Sequence, residues 1–472
     1  MKKRDGIIER GGALVAMAVL VVLTSPVRAE VAPNEPITLE QATEMALHAD
    51  PRIEEQRANV ARAQALIERV KGEGGPRVSA NLFMGLAPKA EDGIFTNGTN
   101  TCPDSGCTLR DDGNSLDEGL TVTTGLTASI IQPLYTFGKL ENYGDAARLN
   151  RDVKASEVAL ARGETWLTVR RAYWGYLAAR DTRRMLEGVQ RQVNRARDDM
   201  REEADAGEIS MSQLYALESG VAQLERYLAE ANSVEAIAID GLKTVIGVPI
   251  DASIEVADSR IQPVTLPDGE LAELAEHALA QRPEMAMAEN GQAAMRNYVA
   301  ARKSERYPNL YAGVVAGATY TPGRDRLNNP YINQPLNQAY AAPVIGLQWD
   351  FNPGVLRANV SDAEAQLQGV VAKAKFARQG IPFQVAEAYH RSHGLNQQIQ
   401  ALASAKDNTR KWMVSTFMDY QAGLLGGEEL VEAVKANTEA QAEYFRTVND
   451  YNMSVAKLAI ATGDYPQVRL GR

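Results

Sequence analysis

"GLTVTTGLTASIIQPLYTFGK", residues 119–139, decides how the chain folds. Leu120, Val122, Leu126, Ala128, Ile130 and Leu134 fall on one parity, and Thr121, Thr123, Gly125, Thr127 and Ser129 on the other. A period-2 pattern over roughly fifteen residues is long for a strand of a soluble domain. After Pro133 the next proline is Pro249. Between them the sequence turns rich in Ala, Arg and Glu at helical spacing, so a long two-faced strand feeds straight into a very long helix.

The chain reads as two copies of one unit. Pro51 and Pro283 lie 232 residues apart, as do Pro76 and Pro308, and Gly85 and Gly317. Farther along the spacing becomes 216: Gln132 with Gln348, Gly138 with Gly354, Tyr173 with Tyr389, Gly207 with Gly423, Leu214 with Leu430, Gly247 with Gly463. The sixteen missing residues are lost between Gly317 and Gln348. Each copy is expected to run helix, strand, variable loop, strand, long helix, turn, helix. Helices that keep their length while a loop varies mark a scaffold with an exposed end.

The alternation recurs where the repeat requires it. Val78, Ala80, Leu82, Met84 and Leu86 share a face, as do Leu310, Ala312, Val314, Ala316 and Ala318, and Ile345, Leu347, Trp349 and Phe351. That gives four candidate strands in two hairpins with long polar loops. A half-buried strand in a soluble sandwich alternates too. Four strands in so long a chain, however, cannot bury both faces of a sheet. In a bilayer they can meet lipid on one side only within a closed barrel, and four are too few to close one. Copies of the chain must combine.

The helical stretches are long. Residues 139–206 make about 68 residues of helix, roughly 100 Å at 1.5 Å per residue. Seams are expected at Leu149, Val153, Ser156 and Leu160, at Leu186, Val189, Val193 and Ala196, and after the turn at Leu214, Leu217, Val221, Leu224, Leu228 and Ala231. Residues 355–421 repeat the long helix, with Pro382 expected to kink it, and 428–462 repeat the return helix.

Composition bounds the function. Lys2, Lys3, Arg4 and Arg10 precede an apolar run at 13–23 and the small residues Val27 and Ala29. This reads as a secretory signal peptide over 1–29, cut after Ala29. The run is short of the roughly twenty residues a spanning helix needs. Residues 1–29 carry five Lys/Arg and two Asp/Glu, so their removal takes the formal charge from −10 to −13. An acidic exported chain is a poor partner for nucleic acid. Cys102 and Cys107 suit a small disulfide loop in an oxidising compartment, and two ligands of a metal site are the weaker reading. His390 and His393 are three apart, but a polar helix surface explains them more simply. No phosphate-binding loop, nucleophile elbow or zinc-protease motif occurs, and "DDGNSLDEG" lacks calcium-ligand spacing. The chain is read as non-enzymatic, with no cofactor and no metal.

The chain resembles the TolC-type outer membrane efflux proteins over its mature length. The stretches that carry the resemblance are "ITLEQATEMALHADPRI", "GGPRVSANL", "YPNLYAGV", "QPLYTFGK", "QWDFNPGV", "DAGEISMSQLYALES" and "YQAGLLGGEELVEA". Each is loose; their order and duplication are specific. The resemblance implies a mixed α and β membrane protein of long antiparallel coiled coils. Four transmembrane strands per protomer would let a homotrimer close one twelve-stranded β-barrel above a periplasmic α-barrel. It implies a first repeat at 30–247, an equatorial linker at 248–270 and a second repeat at 271–472. It also implies an exit duct for efflux or type I secretion, docked through its helix tips to a periplasmic adaptor and an inner membrane transporter. The adaptor-contacting turns would lie at Gly207, Leu214, Gly423 and Leu430. At the periplasmic gate Tyr420 and Gly423 match the family pattern, and Glu429 and Glu432 fall on its acidic positions. Threefold symmetry would ring the axis with six carboxylates. Leu425 and Gln213 stand where the family has a basic latch residue and an acid, so closure is expected to rest on packing of Tyr420 and Leu425. The reading that stays open beside this one is a soluble periplasmic coiled-coil structural or adaptor protein. A secreted enzyme is disfavoured by the missing acid–base constellation.

Overall fold

The computed structural model describes residues 35–91, 93–102, 104–109, 116, 119–327, 334–422 and 424–465. The expected signal peptide and Gly423 lie outside them. The elements follow in the order α1 (Leu39–Ala49), α2 (Pro51–Glu73), β1 (Arg77–Pro88), β2 (Leu120–Tyr135), α3 (Lys139–Asp205), α4 (Met211–Ile246), α5 (Leu271–Gln281), α6 (Pro283–Ser304), β3 (Asn309–Tyr320), β4 (Gln338–Gln348), α7 (Pro353–Gln421) and α8 (Gly427–Thr462). The duplication is visible in these bounds. α1 and α5, α2 and α6, and β1 and β3 start 232 residues apart, while α4 and α8 start and end 216 apart. Gly247 and Gly463 close α4 and α8 in the left-handed conformation, φ 75° and 84°, a position that favours glycine.

The four strands form one antiparallel sheet in the order β1-β2-β3-β4. The register sets Val78 opposite Ile130, Leu82 opposite Leu126, Ile130 opposite Val314 and Leu310 opposite Leu347. The apolar residues of all four strands therefore share one face, and that face is bare: Leu82 is 81% exposed and Ile345 73%. The other face carries Ser79 and Ser129, whose hydroxyls lie 2.8 Å apart, with Thr123, Gly125 and Thr127. Among the described residues β1 and β4 each pair on one side only.

β2 reaches α3 through three residues, 136–138. Phe137 (φ 54°) is the one described non-glycine residue with positive φ. Its ring meets Tyr135 edge-on at 4.7 Å and stacks on Tyr307 at 5.4 Å. Those contacts hold a conformation that an L side chain otherwise avoids.

The helices pack in two main regions. Toward the turns, Leu186, Val189, Val193, Ala196 and Met200 of α3 bury against Leu214, Leu217, Val221 and Leu224 of α4, the seam the spacing predicts. Nearer the sheet, Leu149, Val153, Ser156 and Leu160 are only half-buried while Val158 is buried. There α3 packs against α2 and α6, so burial spreads over several faces and no single seam forms. Pro382 sits inside α7 without ending it. No described helix is long and apolar enough to cross a membrane.

At mid-length a core forms around Trp166, Tyr173, Trp174 and Leu177 of α3, Leu242 and Ile246 of α4, and Val448 and Tyr451 of α8. The extended segment after α4 is tied onto it. Tyr173 Oη donates to Asp258 Oδ2 at 2.7 Å, and Asp181 Oδ2 accepts from Ile261 N at 2.7 Å. Asn452 bonds Val264 N and Gln262 O, each at 2.9 Å. Ile37 adds a parallel bridge to Val256. Buried side chains thus satisfy the backbone of an irregular segment.

Candidate functional site

The two helix turns lie 216 residues apart in sequence and side by side in space. At the first, Gly207 (φ 80°) ends α3, with Glu208 N donating to Glu203 O at 2.9 Å. Ser210 then caps α4 by accepting from Ser212 N at 3.1 Å. At the second, Leu424 N donates to Asp419 O at 2.9 Å. α8 starts at Gly427 with no side-chain cap but with Glu428 and Glu429 in its first turn, where negative charge meets the positive helix end.

The tips are packed together. Leu214 and Leu430, repeat mates, are both buried in one cluster with Met200, Leu217 and Val221. A Cβ at Gly427 would stand 3.1 Å from Met200 Cε, so α8 begins hard against α3. Tyr420, partly buried in the same cluster, donates from Oη to Glu203 Oε2 at 3.4 Å. This bond ties the second hairpin to the first. Burial, then the Glu203 carboxylate, pushes the Tyr420 phenol up to about 12, so it keeps its proton near neutrality.

The other expected gate residues stay at the surface. Glu429 and Glu432 are exposed, on one helix face three residues apart. Leu425 is 37% exposed and Leu424 73%. A Cβ at Gly426 would lie 3.1 Å from Glu429 Oε2 and 3.9 Å from Gln213 Nε2, which brings those two side chains over one turn. Glu203 is the residue that sequence reading missed. No sequence signal marks it: the repeat makes Tyr420 the mate of Ala204, next to Glu203, but equivalence between copies does not report contact between them.

Above the tips, α3 and α4 stand apart from α8 around a cavity of about 890 Å³. Ala178, Ala216, Gly220, Tyr227 and Val434 are among its lining. Among the described residues no three His, Cys, Asp or Glu converge as metal ligands. His393 Nδ1 lies 2.9 Å from Tyr389 O, within its own helix. Cys102 and Cys107 are bonded to each other in the β1–β2 connection.

The sequence pattern of the outer membrane efflux proteins fits residues 42–248 and 274–464, one stretch on each copy. The chain belongs to the outer membrane efflux protein family. No curated protein sequence matches it. Among solved structures it is similar to the Vibrio cholerae outer membrane protein VceC, at 18% identity and TM-score 0.71, covering 90% of this chain and 96% of that one. It is similar to the Campylobacter jejuni CmeC outer membrane channel at 12% identity and TM-score 0.72, covering 90% and 85%. The Neisseria gonorrhoeae MtrE channel in its open state matches at 16% identity and TM-score 0.68, covering 90% and 88%. At these identities the likeness speaks for the fold: long helices joined to a small antiparallel sheet. An efflux protein of this family is a channel of the outer membrane.

Proposed function

We propose that three copies of the chain join the free edge of β4 to the free edge of β1 and close a twelve-stranded barrel in the outer membrane. The long helices continue it as a tunnel into the periplasm. The observation that carries this reading is the bare apolar face of a four-stranded sheet whose two edges are unpaired. An open edge in hydrocarbon costs several kcal/mol per unsatisfied backbone group. Twelve strands lie between the packed eight-stranded and the open sixteen-stranded cases, so a water-filled lumen fits.

The conduit does no chemistry of its own. It serves as the exit of a tripartite efflux or type I secretion assembly. Its turns at Gly207 and Leu214, and at Gly423 and Leu430, meet a periplasmic adaptor that links it to an inner membrane transporter. At rest the hairpin tips hold together through the cluster of Leu214, Leu430 and Met200 and through the Tyr420–Glu203 bond. Opening separates the α7–α8 hairpin from α3. Glu429 and Glu432 of three copies face the opening.

Conductance in a planar lipid bilayer tests the proposal. Detergent-purified protein is expected to run as a trimer whose migration changes on heating, and to conduct ions. A monomer that stays dissolved without detergent and never conducts would return the chain to the soluble coiled-coil reading.

A further inference from the structure

The β3–β4 connection does not stay above its own hairpin. Ala90 N donates to Gly323 O at 2.9 Å, and Asp325 N donates to Ala90 O at 2.9 Å, which makes a parallel bridge between Ala90 and Arg324. Ala90 continues β1, and β2 lies between β1 and β3. The chain leaving β3 therefore crosses the end of β2 farthest from the helices. Strands stand about 4.8 Å apart, so the crossing spans roughly 10 Å.

Burial shows on which face it crosses. Ala87, Thr123 and Thr321 lie on the polar face at that end, and they are 2%, 4% and 1% exposed. Leu86 and Tyr320, at the same level on the apolar face, are 69% and 62% exposed. Only the polar face is covered. The crossing is fastened at several points. Arg324 Nη1 donates to Pro88 O at 2.9 Å, Asp325 Oδ2 accepts from Gly93 N at 2.9 Å, and Asn337 Nδ2 donates to Arg324 O at 2.5 Å. Beneath it Thr321 Oγ1 donates to Thr123 Oγ1 at 2.8 Å.

We propose that residues 321–327 form a sill on the inner wall at the outer mouth of the barrel, and that it limits the size of what leaves. The inference rests on the conduit reading. Three copies would place three sills around the opening, a second narrowing at the end opposite the helix tips.

The test uses the full chain in the Tyr420→Phe background, so that the tips are not the limiting step. Thr321 and Leu336 are positioned as the next cross-strand pair of the β3–β4 ladder, so an Asn-Gly pair can replace 322–335 as a two-residue turn. If the sill limits passage, single-channel conductance rises by about twofold and larger polyethylene glycols enter. Unchanged conductance in a trimer of normal heat-sensitive migration overturns the sill. No conductance in either background overturns the conduit itself. Should the shortened chain not assemble, thiol labelling of the full-length protein decides. Thr123→Cys, under the sill, is expected to react with a polar maleimide at least roughly tenfold more slowly than Thr127→Cys, deeper on the same face. Equal rates overturn the proposal.

Discussion

At the scale of single residues, the two copies solve one local problem with opposite charges. Asp50 and Arg52 flank Pro51 at the start of α2; Arg282 and Glu284 flank Pro283 at the start of α6. Asp50 accepts from Arg52 N at 2.9 Å and from Thr165 Oγ1 at 2.5 Å. The mate of Thr165 is Ile381, which is buried, and Arg282 reaches Gln384 Oε1 at 2.6 Å instead. Arg52 first, against burial and helped by Thr165, brings the Asp50 carboxyl down to about 2. Its folded value lies below the ordinary one, so the stabilisation is complete above about pH 4 and is lost as pH falls toward 2. Asp50→Ala removes cap and ion pair together and should cost about 1–2 kcal/mol. Helix melting in detergent at pH 7 and at pH 2.5 checks it: the gap between the two proteins should be full at neutrality and clearly smaller at pH 2.5. The Tyr420–Glu203 bond makes a second claim at this scale. A hydrogen bond to a carboxylate is worth about 1 kcal/mol or more. Three acting together would raise the open population of a Tyr420→Phe trimer by roughly a hundredfold. Glu203→Gln keeps an acceptor, so it should open the channel less often than Tyr420→Phe does. Equal closed dwell times in wild type and both variants would remove this bond from the gate.

At the scale of the element, the sheet shows what a sequence pattern carries and what it omits. The parity of Leu82, Leu126, Val314 and Ile345 told which residues share a face, because alternation is local to each strand. What holds the polar face flat was not legible, because it depends on register between strands. A Cβ at Gly317 would stand 2.7 Å from Tyr340 Cε1, and one at Gly346 would stand 2.7 Å from Tyr311 Oη. Phe83 lies over Gly125 in the same way. Each aromatic ring rests on a glycine of the neighbouring strand, a device that fixes register where glycine alone would leave it loose. Gly85 shares that face and has only Thr123 Cγ2 near, at 3.6 Å. Gly317→Val should therefore push the Tyr340 ring off the wall and lower the yield of heat-stable trimer several-fold, as overpacking costs about 1–3 kcal/mol per copy. Gly85→Ala should leave the yield unchanged. Semi-denaturing electrophoresis of outer membrane fractions reads both, and an equal loss in the two variants would refute the pairing of ring and glycine.

At the scale of the whole molecule, duplication made most of the architecture readable. Spacings of 232 and 216 pair each helix and strand with its mate to within a few residues, and the bounds of α4 and α8 agree with them to the residue. The tie between Tyr420 and Glu203 escaped because it joins the two copies, and no period reports a contact between them. In the conduit reading, the ends of the tunnel set its selectivity, and there the electrostatics reach beyond one chain. Glu429 and Glu432 are exposed on one face of α8, and among the described residues of one copy neither has an ion-pair or hydrogen-bond partner that would fix its role. Around a threefold axis, six carboxylates would concentrate cations and repel anions, within about 10 Å at 0.1 M salt and about 3 Å at 1 M. In the Tyr420→Phe background, the reversal potential under a KCl gradient should report a cation preference. Glu429→Ala with Glu432→Ala should move that potential toward zero, and by more in dilute salt than in concentrated salt. A reversal potential that does not move, in a channel that still conducts, would mean that these carboxylates are a solvated helix face and that selectivity is set elsewhere along the wall.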